Sequence, residues 1–345
     1  MDKKLQVTSS PHLNSGESVA KIMWSVVLAL LPAAAGAVYF FGVRAFWIMA
    51  IAVISAVVTE AILQKLLKKP IAVADGSAVV TGILLAFNVP VQTPLWIPAI
   101  GSFFAIAVGK MAFGGLGHNP MNPALLGRAF LLASWPTHMT IFDRSAPLGG
   151  TVSGIDVMTG ATPLNVLKSC RAVLAHPEAY TPEQKTAAAE TLGKLYDSLD
   201  KLFIGRVGGC IGETSVLLLL AGAAFLMYRR YIGWKIPFSY IGTVALLTWM
   251  FGGAEGLFTG NPLFHVLSGG LILGAFFMAT DMVTSPVTFA GRIYFGIGCG
   301  VITVIIRLIG GYPEGVSYSI LLMNLVTPLL DRMTRPKVFG GRKER

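Results

Sequence analysis

The sequence predicts an all-α integral membrane protein, on the basis of its composition and its hydropathy. Of the 345 residues, 54% are hydrophobic and 13% are charged, and the mean hydropathy is +0.68. Soluble globular chains carry about 25% charged residues. Because a helical span needs roughly 20 apolar residues, about ten spans fit in the chain together with loops and tails. No room is left for a large soluble catalytic domain.

Ten apolar segments are predicted to be transmembrane helices. They cover residues 21–42, 44–64, 77–90, 94–113, 122–136, 213–229, 236–252, 262–281, 288–309 and 316–331. The polar stretch between the fifth and sixth spans is too long for an ordinary connector. The predicted organisation is a cytoplasmic N-terminus, a first five-helix repeat, an extracytoplasmic loop, a second five-helix repeat and a basic cytoplasmic tail, over residues 1–20, 21–136, 137–212, 213–331 and 332–345.

The distribution of basic residues predicts the topology. With the N-terminus inside, the inside segments, including Lys110, hold seventeen Lys and Arg, and the short outside loops hold only Arg44. By the positive-inside rule both termini are cytoplasmic, and residues 137–212 lie outside. This asymmetry explains the formal net charge of +10. No basic run is interleaved with aromatics in the way a nucleic-acid groove requires, so nucleic acid is not an expected partner.

A faint internal repeat relates the two sets of five spans. Residues 81–85 are echoed by residues 269–273, and Lys110 followed by two glycines is echoed by Arg307 followed by two glycines. Halves with an odd number of spans are inverted, and inverted repeats commonly build a site at the membrane midplane from broken helices. Chance similarity between glycine-rich apolar segments is the alternative.

Four carboxylates near or inside the spans are candidates for an ion path, because intramembrane charges are costly. Asp75 and Asp281 adjoin the glycine-rich repeat segments and are the preferred candidates. Glu60 and Asp331 lie near span ends, close to Lys65 and Arg332, where an interfacial salt bridge is favoured. The scattered cysteines, Cys170, Cys210 and Cys299, have no metal-ligand spacing, and no metal site is predicted.

Three further segments carry local signals. The run Asn119-Pro120-Met121-Asn122-Pro123 breaks the helical pattern. It is either a tight loop with asparagine turn chemistry or irregular backbone facing a cavity. Residues 181–203 begin with a capping box, Thr181 to Gln184, and place leucines on one face, which predicts an amphipathic helix with a scaffold role.

The third segment is Asp156-Val157-Met158-Thr159-Gly160-Ala161-Thr162-Pro163. Thr162 followed by proline is typical of a helix start. The same geometry offers a hydroxyl, flanked by Gly160 and Ala161, that an enzyme can approach. A phosphate joined to it would lie at the positive end of the helix dipole.

This motif resembles Asp-x-x-(Ser/Thr)-Gly-Ala-Thr, on which a flavin transferase esterifies FMN to threonine. The motif occurs in the NqrB protein of the sodium-pumping NADH:quinone reductase and in the RnfD and RnfG proteins of the Rnf complex. Residues 10–12, 75–77 and 114–123 are also similar to the RnfD family, so the resemblance covers nearly the whole chain. Thr159 stands where serine is common.

The resemblance implies that Thr162 holds FMN through a phosphoester bond, within a motif that includes Thr159, Gly160 and Ala161. It also implies a second, non-covalent flavin, riboflavin, close to Asn119 and Asn122. The chain would be a subunit of an ion-translocating oxidoreductase in the bacterial inner membrane. It would relay electrons between ferredoxin and NAD and move Na+ or H+, with membrane lipid, the other Rnf subunits and a flavin transferase as partners. The alternatives are the quinone-reductase subunit and a urea-type channel, which does not need the Thr159–Thr162 motif.

Overall fold

The computed structural model describes residues 17–142, 162–175, 180–205, 207–213, 215–253, 256–311 and 314–336, and this part of the chain is helical without any strand. Two π turns, Ala107–Met111 and Gly274–Met278, continue α4 and α13 directly. The α-helices of this part are α1 (Val19–Phe41), α2 (Val43–Leu66), α3 (Ser77–Phe87), α4 (Trp96–Ile106), α5 (Pro123–Ser134), α6 (Pro136–Thr140), α7 (Pro163–Ala175), α8 (Pro182–Tyr196), α9 (Leu199–Ile204), α10 (Val216–Tyr228), α11 (Lys235–Phe251), α12 (Pro262–Leu267), α13 (Leu271–Leu273), α14 (Phe289–Leu308) and α15 (Val316–Met333).

Three of these helices, α1, α2 and α14, are long and apolar enough to cross a membrane. Their outer faces carry large apolar side chains such as Trp47, Ile54 and Ile305, each more than half exposed. Extended apolar surface of this kind is rare on soluble monomers and suits contact with lipid. The prediction of an all-α membrane protein is confirmed at this level. Ten spans in two inverted repeats stay a prediction.

The helices pack around a core that joins the two halves of the described chain. In the first half α2 packs against α3 and α4, in the second half α11 packs against α14, and α1 lies along α10. Tyr240 of α11 is fully buried, and its hydroxyl is 2.6 Å from Thr303 Oγ1 of α14 and 2.9 Å from Ser319 Oγ of α15. Because a buried hydroxyl is costly without partners, these contacts fix the three helices together.

The predicted span 262–281 is wrong as a single helix. Helix α12 ends at Leu267, and the chain turns through Gly269 and Gly270, with φ of 67° and 65°, before α13 and its π turn. Side chains disfavour this left-handed region. A Cβ on Gly270 would also lie 2.4 Å from Glu213 Oε1. The span is therefore broken where the backbone needs glycine.

Residues 162–175 and 180–205 contain three helices, α7, α8 and α9, which pack with α12. A shared apolar cluster of Leu164, Leu167, Leu202 and Phe264 joins α7 and α9 to α12, with leucines of α8 packed against it. The predicted capping box at Thr181 is confirmed. The predicted helix 181–203 is too long, since α8 ends at Tyr196 and α9 follows. At the break Ser198 Oγ donates to the Leu195 carbonyl at 2.9 Å, a local bond of the kind that competes with helix continuation.

Candidate functional site

Thr162 stands at the start of α7, where the sequence predicted a helix cap. Its Oγ1 accepts a hydrogen bond from the Asn165 N–H at 3.3 Å, and Pro163 is the first helical residue. The threonine is 5% exposed, so its hydroxyl is less open to an approaching enzyme than the sequence predicted. It lines a cavity of about 370 Å³, here called the Thr162 cavity. The rest of the predicted flavin motif, Asp156, Thr159, Gly160 and Ala161, lies outside the described residues.

Two basic side chains fasten α7 to the second half of the chain. Lys168 Nζ donates to the carbonyl oxygen of Gly310, just beyond α14. Arg171 Nη2 donates to the carbonyls of Phe251 at 3.1 Å and Gly253 at 3.3 Å, at the end of α11. The last carbonyls of a helix have no partner within the helix, so Arg171 supplies the donor that the Phe251 carbonyl needs. Thr162 is thereby held in a fixed place over the membrane helices.

A buried cluster of charged side chains adjoins the Thr162 cavity. It consists of Arg128, Glu213, Arg307 and Glu314 and is called the ion-pair cluster below. Arg128 of α5 is paired with Glu314 and, at 3.5 Å, with Glu213. Both glutamates line the Thr162 cavity. Removing one partner of such a buried pair leaves an uncompensated charge, which is costly.

Arg307 of α14 is the fourth member of the ion-pair cluster and is held by backbone. Its guanidinium donates to the carbonyl oxygens of His265 at 2.5 Å, Ser268 at 3.0 Å and Glu314 at 3.2 Å. When all four side chains of the cluster are ionised, their charges sum to zero. The cluster therefore joins α5, α14 and the segment before α15 without a net buried charge.

Three groups here also have the spacing of a metal site. Ligand atoms of Cys210, Glu213 and Glu314 lie within 4.8 Å of one another. Arg128 is already bonded to both carboxylates and approaches Cys210 Sγ at 3.9 Å. Because a guanidinium supplies the positive charge that the carboxylates need, we assign this group to the ion-pair cluster and not to a metal centre.

Sequence reasoning missed the ion-pair cluster. An arginine inside an apolar span is a signal of function, and Arg128 lies inside the predicted span 122–136. Its acidic partners, however, are 85 and 186 positions away along the chain, and no local pattern relates them.

Three of the predicted site residues meet in one cleft of about 820 Å³. Asn119, Asn122 and Asp281 all line it, together with Ser77 and Lys110. We call it the Asp281 cleft. Both π turns contribute to its walls, the first through Lys110 and the second through two phenylalanines. Single π turns within helices are frequent at functional sites.

The two asparagines of the cleft differ in their bonding. Asn122 is fully used by the fold: Oδ1 caps α5 by accepting from the Ala124 N–H at 3.0 Å, and Nδ2 donates to the Met278 carbonyl at 3.3 Å. Asn119 Nδ2 donates to the Met121 carbonyl at 3.1 Å. Its Oδ1 is buried and has no partner within the described part of the chain. Asn119 therefore offers a free acceptor at the cleft.

The two predicted ion-path acids differ in their relation to the Asp281 cleft. Asp281 lines the cleft and accepts from Thr284 Oγ1 at 3.1 Å. Among the described residues no Lys or Arg is paired with it. Asp75 does not line the cleft, but its Oδ1 accepts from the Ser77 N–H at 2.8 Å and from Ser77 Oγ at 2.5 Å. Ser77, which does line the cleft, is thus the link from Asp75 to it.

The expected interfacial salt bridges need correction. Glu60 is 1% exposed and pairs with Lys110, at 2.7 Å and 2.8 Å, rather than with Lys65 at an interface. Lys110 is therefore a buried residue and not part of an inside loop. Asp331 Oδ1 accepts from the backbone N–H of Val287 at 2.9 Å, so it orders the chain before α14.

Fold and site together define a helical membrane protein whose interior carries paired and unpaired ionisable groups, as ion-translocating proteins do. The chain belongs to the NQR2, RnfD, RnfE family, whose sequence model matches residues 6–340. The resemblance identified from the flavin motif and the three further segments is thereby confirmed at the level of the family.

Individual relatives are similar over almost the whole chain. The D subunit of the proton-translocating ferredoxin:NAD(+) oxidoreductase complex of Clostridium ljungdahlii is 50% identical, over 98% of this chain and 96% of its own. The D subunit of the Na(+)-translocating ferredoxin:NAD(+) oxidoreductase complex of Acetobacterium woodii is 52% identical, with the same coverage. The D subunit of an ion-translocating oxidoreductase complex of Stutzerimonas stutzeri is 40% identical, over 94% and 92%.

Proposed function

We propose that this chain is the membrane subunit of a redox-driven ion pump of the Rnf type, an oxidoreductase that is also a translocase. The observation that carries this proposal is identity of 50% and 52%, over nearly the full length, to subunits named for ferredoxin:NAD(+) oxidoreductase complexes. The name of one relative specifies proton translocation and that of the other specifies Na+ translocation. The proposed coupling ion is therefore H+ or Na+. The other subunits of the complex are the expected partners.

Two other functions are less well supported. The family model also covers NQR2 proteins, so the NqrB protein of the sodium-pumping quinone reductase is the second candidate. The names of the relatives above favour ferredoxin and NAD over quinone. A urea-type channel has no support from these relatives, whose names are those of oxidoreductase subunits.

In this proposal Thr162 carries FMN through a phosphoester bond, and the flavin supplies the electron-transfer chemistry. The residues present fit that role. The hydroxyl stands at the N-terminus of a 13-residue helix, whose dipole favours a negative phosphate, and it faces a cavity. Lys168 and Arg171 hold the helix in place. Thr159, Gly160 and Ala161 complete the motif for a flavin transferase, which is the proposed loading enzyme.

A second, non-covalent flavin is proposed for the Asp281 cleft. The cleft has a largely apolar lining with a few polar side chains, as small-molecule sites typically do. The unpartnered Oδ1 of Asn119 is an acceptor for an N–H at the edge of a flavin ring. Asn122 supports the site by holding the Met278 carbonyl rather than by binding the ring. Riboflavin is the proposed occupant.

The proposed ion path runs past Asp281 and Asp75. Asp281 lines the cleft without a basic partner among the described side chains, so a cation can take that place. Asp75 reaches the cleft wall through Ser77. The proposed location is the bacterial inner membrane, with both termini cytoplasmic and the flavin-bearing segment outside, and the positive-inside asymmetry supports this orientation.

The covalent flavin is tested by separating the two roles of Thr162. Thr162→Asn keeps a good helix cap but removes the hydroxyl. In cells that also express a flavin transferase, the wild-type band on a denaturing gel should fluoresce under ultraviolet light, and the Thr162→Asn band should be dark at equal protein level.

Thr181→Asn is the matched control, because Thr181 also caps a helix that begins with proline. That variant should fluoresce like the wild type. A fluorescent Thr162→Asn band would exclude Thr162 as the attachment site.

A further inference from the structure

The ion-pair cluster borders two cavities. On one side Glu213 and Glu314 line the Thr162 cavity. On the other side Arg128 and Glu314 line a larger cavity of about 550 Å³. Residues of α5, α6, α7 and α15 contribute to its lining, and it is called here the α5–α15 cavity. Glu314 thus borders both, and a group joined to Thr162 has the cluster as its neighbour.

The α5–α15 cavity has the character of a site for a flat aromatic ring. Most of its surface is apolar, with Ala129, Leu132, Met139 and Phe142 in the lining. The polar side chains that line it include Arg128, Asn165 and Glu314. Small-molecule sites typically combine an apolar lining with a few placed polar groups. The Thr162 cavity is smaller and borders two carboxylates, which suits a ring less well.

The acceptor threonine and this cavity are neighbours through the first turn of α7. The N–H of Asn165 is bonded to Thr162 Oγ1, and the same residue lines the α5–α15 cavity. Arg128 is held at the cavity wall by side-chain oxygens of four residues: Glu314, Glu213, Asn88 at 2.6 Å and Ser317 at 2.8 Å. Its position does not depend on a ligand.

We propose that the ring of the flavin attached at Thr162 lies in the α5–α15 cavity, and that Arg128, balanced by Glu314, sets its reduction potential. This inference rests on the proposed function. Reduction adds negative charge to a flavin, so the guanidinium favours the reduced form and the carboxylate opposes it. Charges act more strongly in a buried site than in water. Arg128 and Glu314 are positioning and tuning residues in this scheme.

The electrostatic test uses the assembled complex and four variants. Glu314→Gln removes a negative charge and should raise the potential of the Thr162 flavin. The double variant Arg128→Gln/Glu314→Gln also removes the positive charge and should lower the potential again, without leaving an unpaired arginine or glutamate from that pair. At a fixed solution potential, each of these two charge changes should alter the ratio of reduced to oxidised flavin at least tenfold. A tenfold change corresponds to a 59 mV shift in the potential of a one-electron couple.

Glu190→Gln on the exposed face of α8 is the charge-matched control and should change the ratio less than twofold. The signal of the Thr162 flavin is isolated by subtracting the redox titration of a complex that carries Thr162→Asn from that of the complex with Thr162. If that subtraction leaves no flavin signal, the proposed function itself is contradicted. If a signal is present but Glu314→Gln and Glu190→Gln shift it alike, only the ring assignment is contradicted.

A steric test distinguishes the two cavities. Ala129→Leu adds bulk inside the α5–α15 cavity, whereas Ala133→Leu adds the same bulk at an exposed position of the same helix. We expect Ala129→Leu to reduce the fluorescence of the denatured band, or to change the visible absorption of the bound flavin, and Ala133→Leu to do neither. Wild-type fluorescence and absorption in both variants would overturn the assignment of the ring to this cavity.

Discussion

Lys110 carries its ammonium group into the interior of the helical bundle. Its three donors are all used, on Glu60 Oε1 at 2.7 Å, Glu60 Oε2 at 2.8 Å and Ser77 Oγ at 2.6 Å. Gln64 Nε2 supports the same carboxylate at 2.9 Å. A buried ion pair with complete hydrogen bonding is tolerated, but it becomes strongly destabilising when one partner is lost. The pair therefore makes the wall of the Asp281 cleft dependent on both charges.

Lys110→Met should destabilise the protein by about 3–5 kcal/mol, because Glu60 then remains buried without its counter-charge. The double variant Lys110→Met/Glu60→Gln should recover a large part of this loss. The measurement is thermal unfolding of the purified protein in detergent. Lys69→Met removes an exposed lysine and is the control. Equal melting temperatures for Lys110→Met and Lys69→Met would contradict a buried pair.

Asp281 is the residue for which a transport effect is expected. Asp281→Asn should abolish or strongly reduce ion uptake, or make the rate of electron transfer insensitive to the ion, because an amide cannot bind a cation or proton as a carboxylate does. Both activities are measured in the same vesicles. Asp331→Asn, at a carboxylate that accepts backbone N–H groups, is the control. Wild-type values of both activities in Asp281→Asn would remove it from the ion path.

Among the elements, α12 and α13 show where sequence reasoning reached its limit. The apolar run from 262 to 281 predicts one span, because hydropathy alone does not indicate where the backbone changes direction. The turn at Gly269 and Gly270 arises from positive φ values and from the close approach of Glu213. Such contacts exist only in the folded chain. By contrast, α1, α2 and α14 follow the predicted spans closely, since long apolar runs determine them.

Gly270→Ala should destabilise the break between α12 and α13. The left-handed conformation costs a side-chain residue about 1–2 kcal/mol, and the new Cβ would also lie 2.4 Å from Glu213 Oε1. Gly242→Ala in α11, where nothing lies within 4 Å of the added atom, should be neutral or stabilising, because alanine favours helix by about 1 kcal/mol. Melting temperatures of both variants test this, and a Gly270→Ala protein as stable as Gly242→Ala would refute the strained turn.

For the whole molecule, the orientation in the membrane is the prediction with the widest consequence. Reporter fusions at residue 345 and within 145–205 should report opposite sides, cytoplasmic for the first and extracytoplasmic for the second, because seventeen basic residues lie in the segments assigned to the inside. Removing Lys110 from that count leaves the asymmetry intact. Reports from the same side would mean that an even number of spans separates the two sites, instead of the predicted five.

The candidate sites were predictable only in part. Thr162, Asn119, Asn122 and Asp281 carry local signals, namely a motif, a break in a helix and an acid beside an apolar run. Their grouping was not predictable, since Asn122 meets the Met278 carbonyl 156 positions away. The ion-pair cluster was not predictable for the same reason. Its charged side chains come together only in the folded chain, and their spacing along the sequence does not indicate that they are partners.

The two π turns also determine which way neighbouring side chains face. A π turn holds one residue more than the α-helical turn it replaces, and one residue corresponds to about 100° of rotation about the helix axis. Without the extra residue in Ala107–Met111, Lys110 would be rotated away from Glu60 of α2. Without the one in Gly274–Met278, the chain leading to Asp281 would leave the cleft in another direction. Each π turn is therefore a one-residue insertion that sets the angular register of the charged group it carries or precedes.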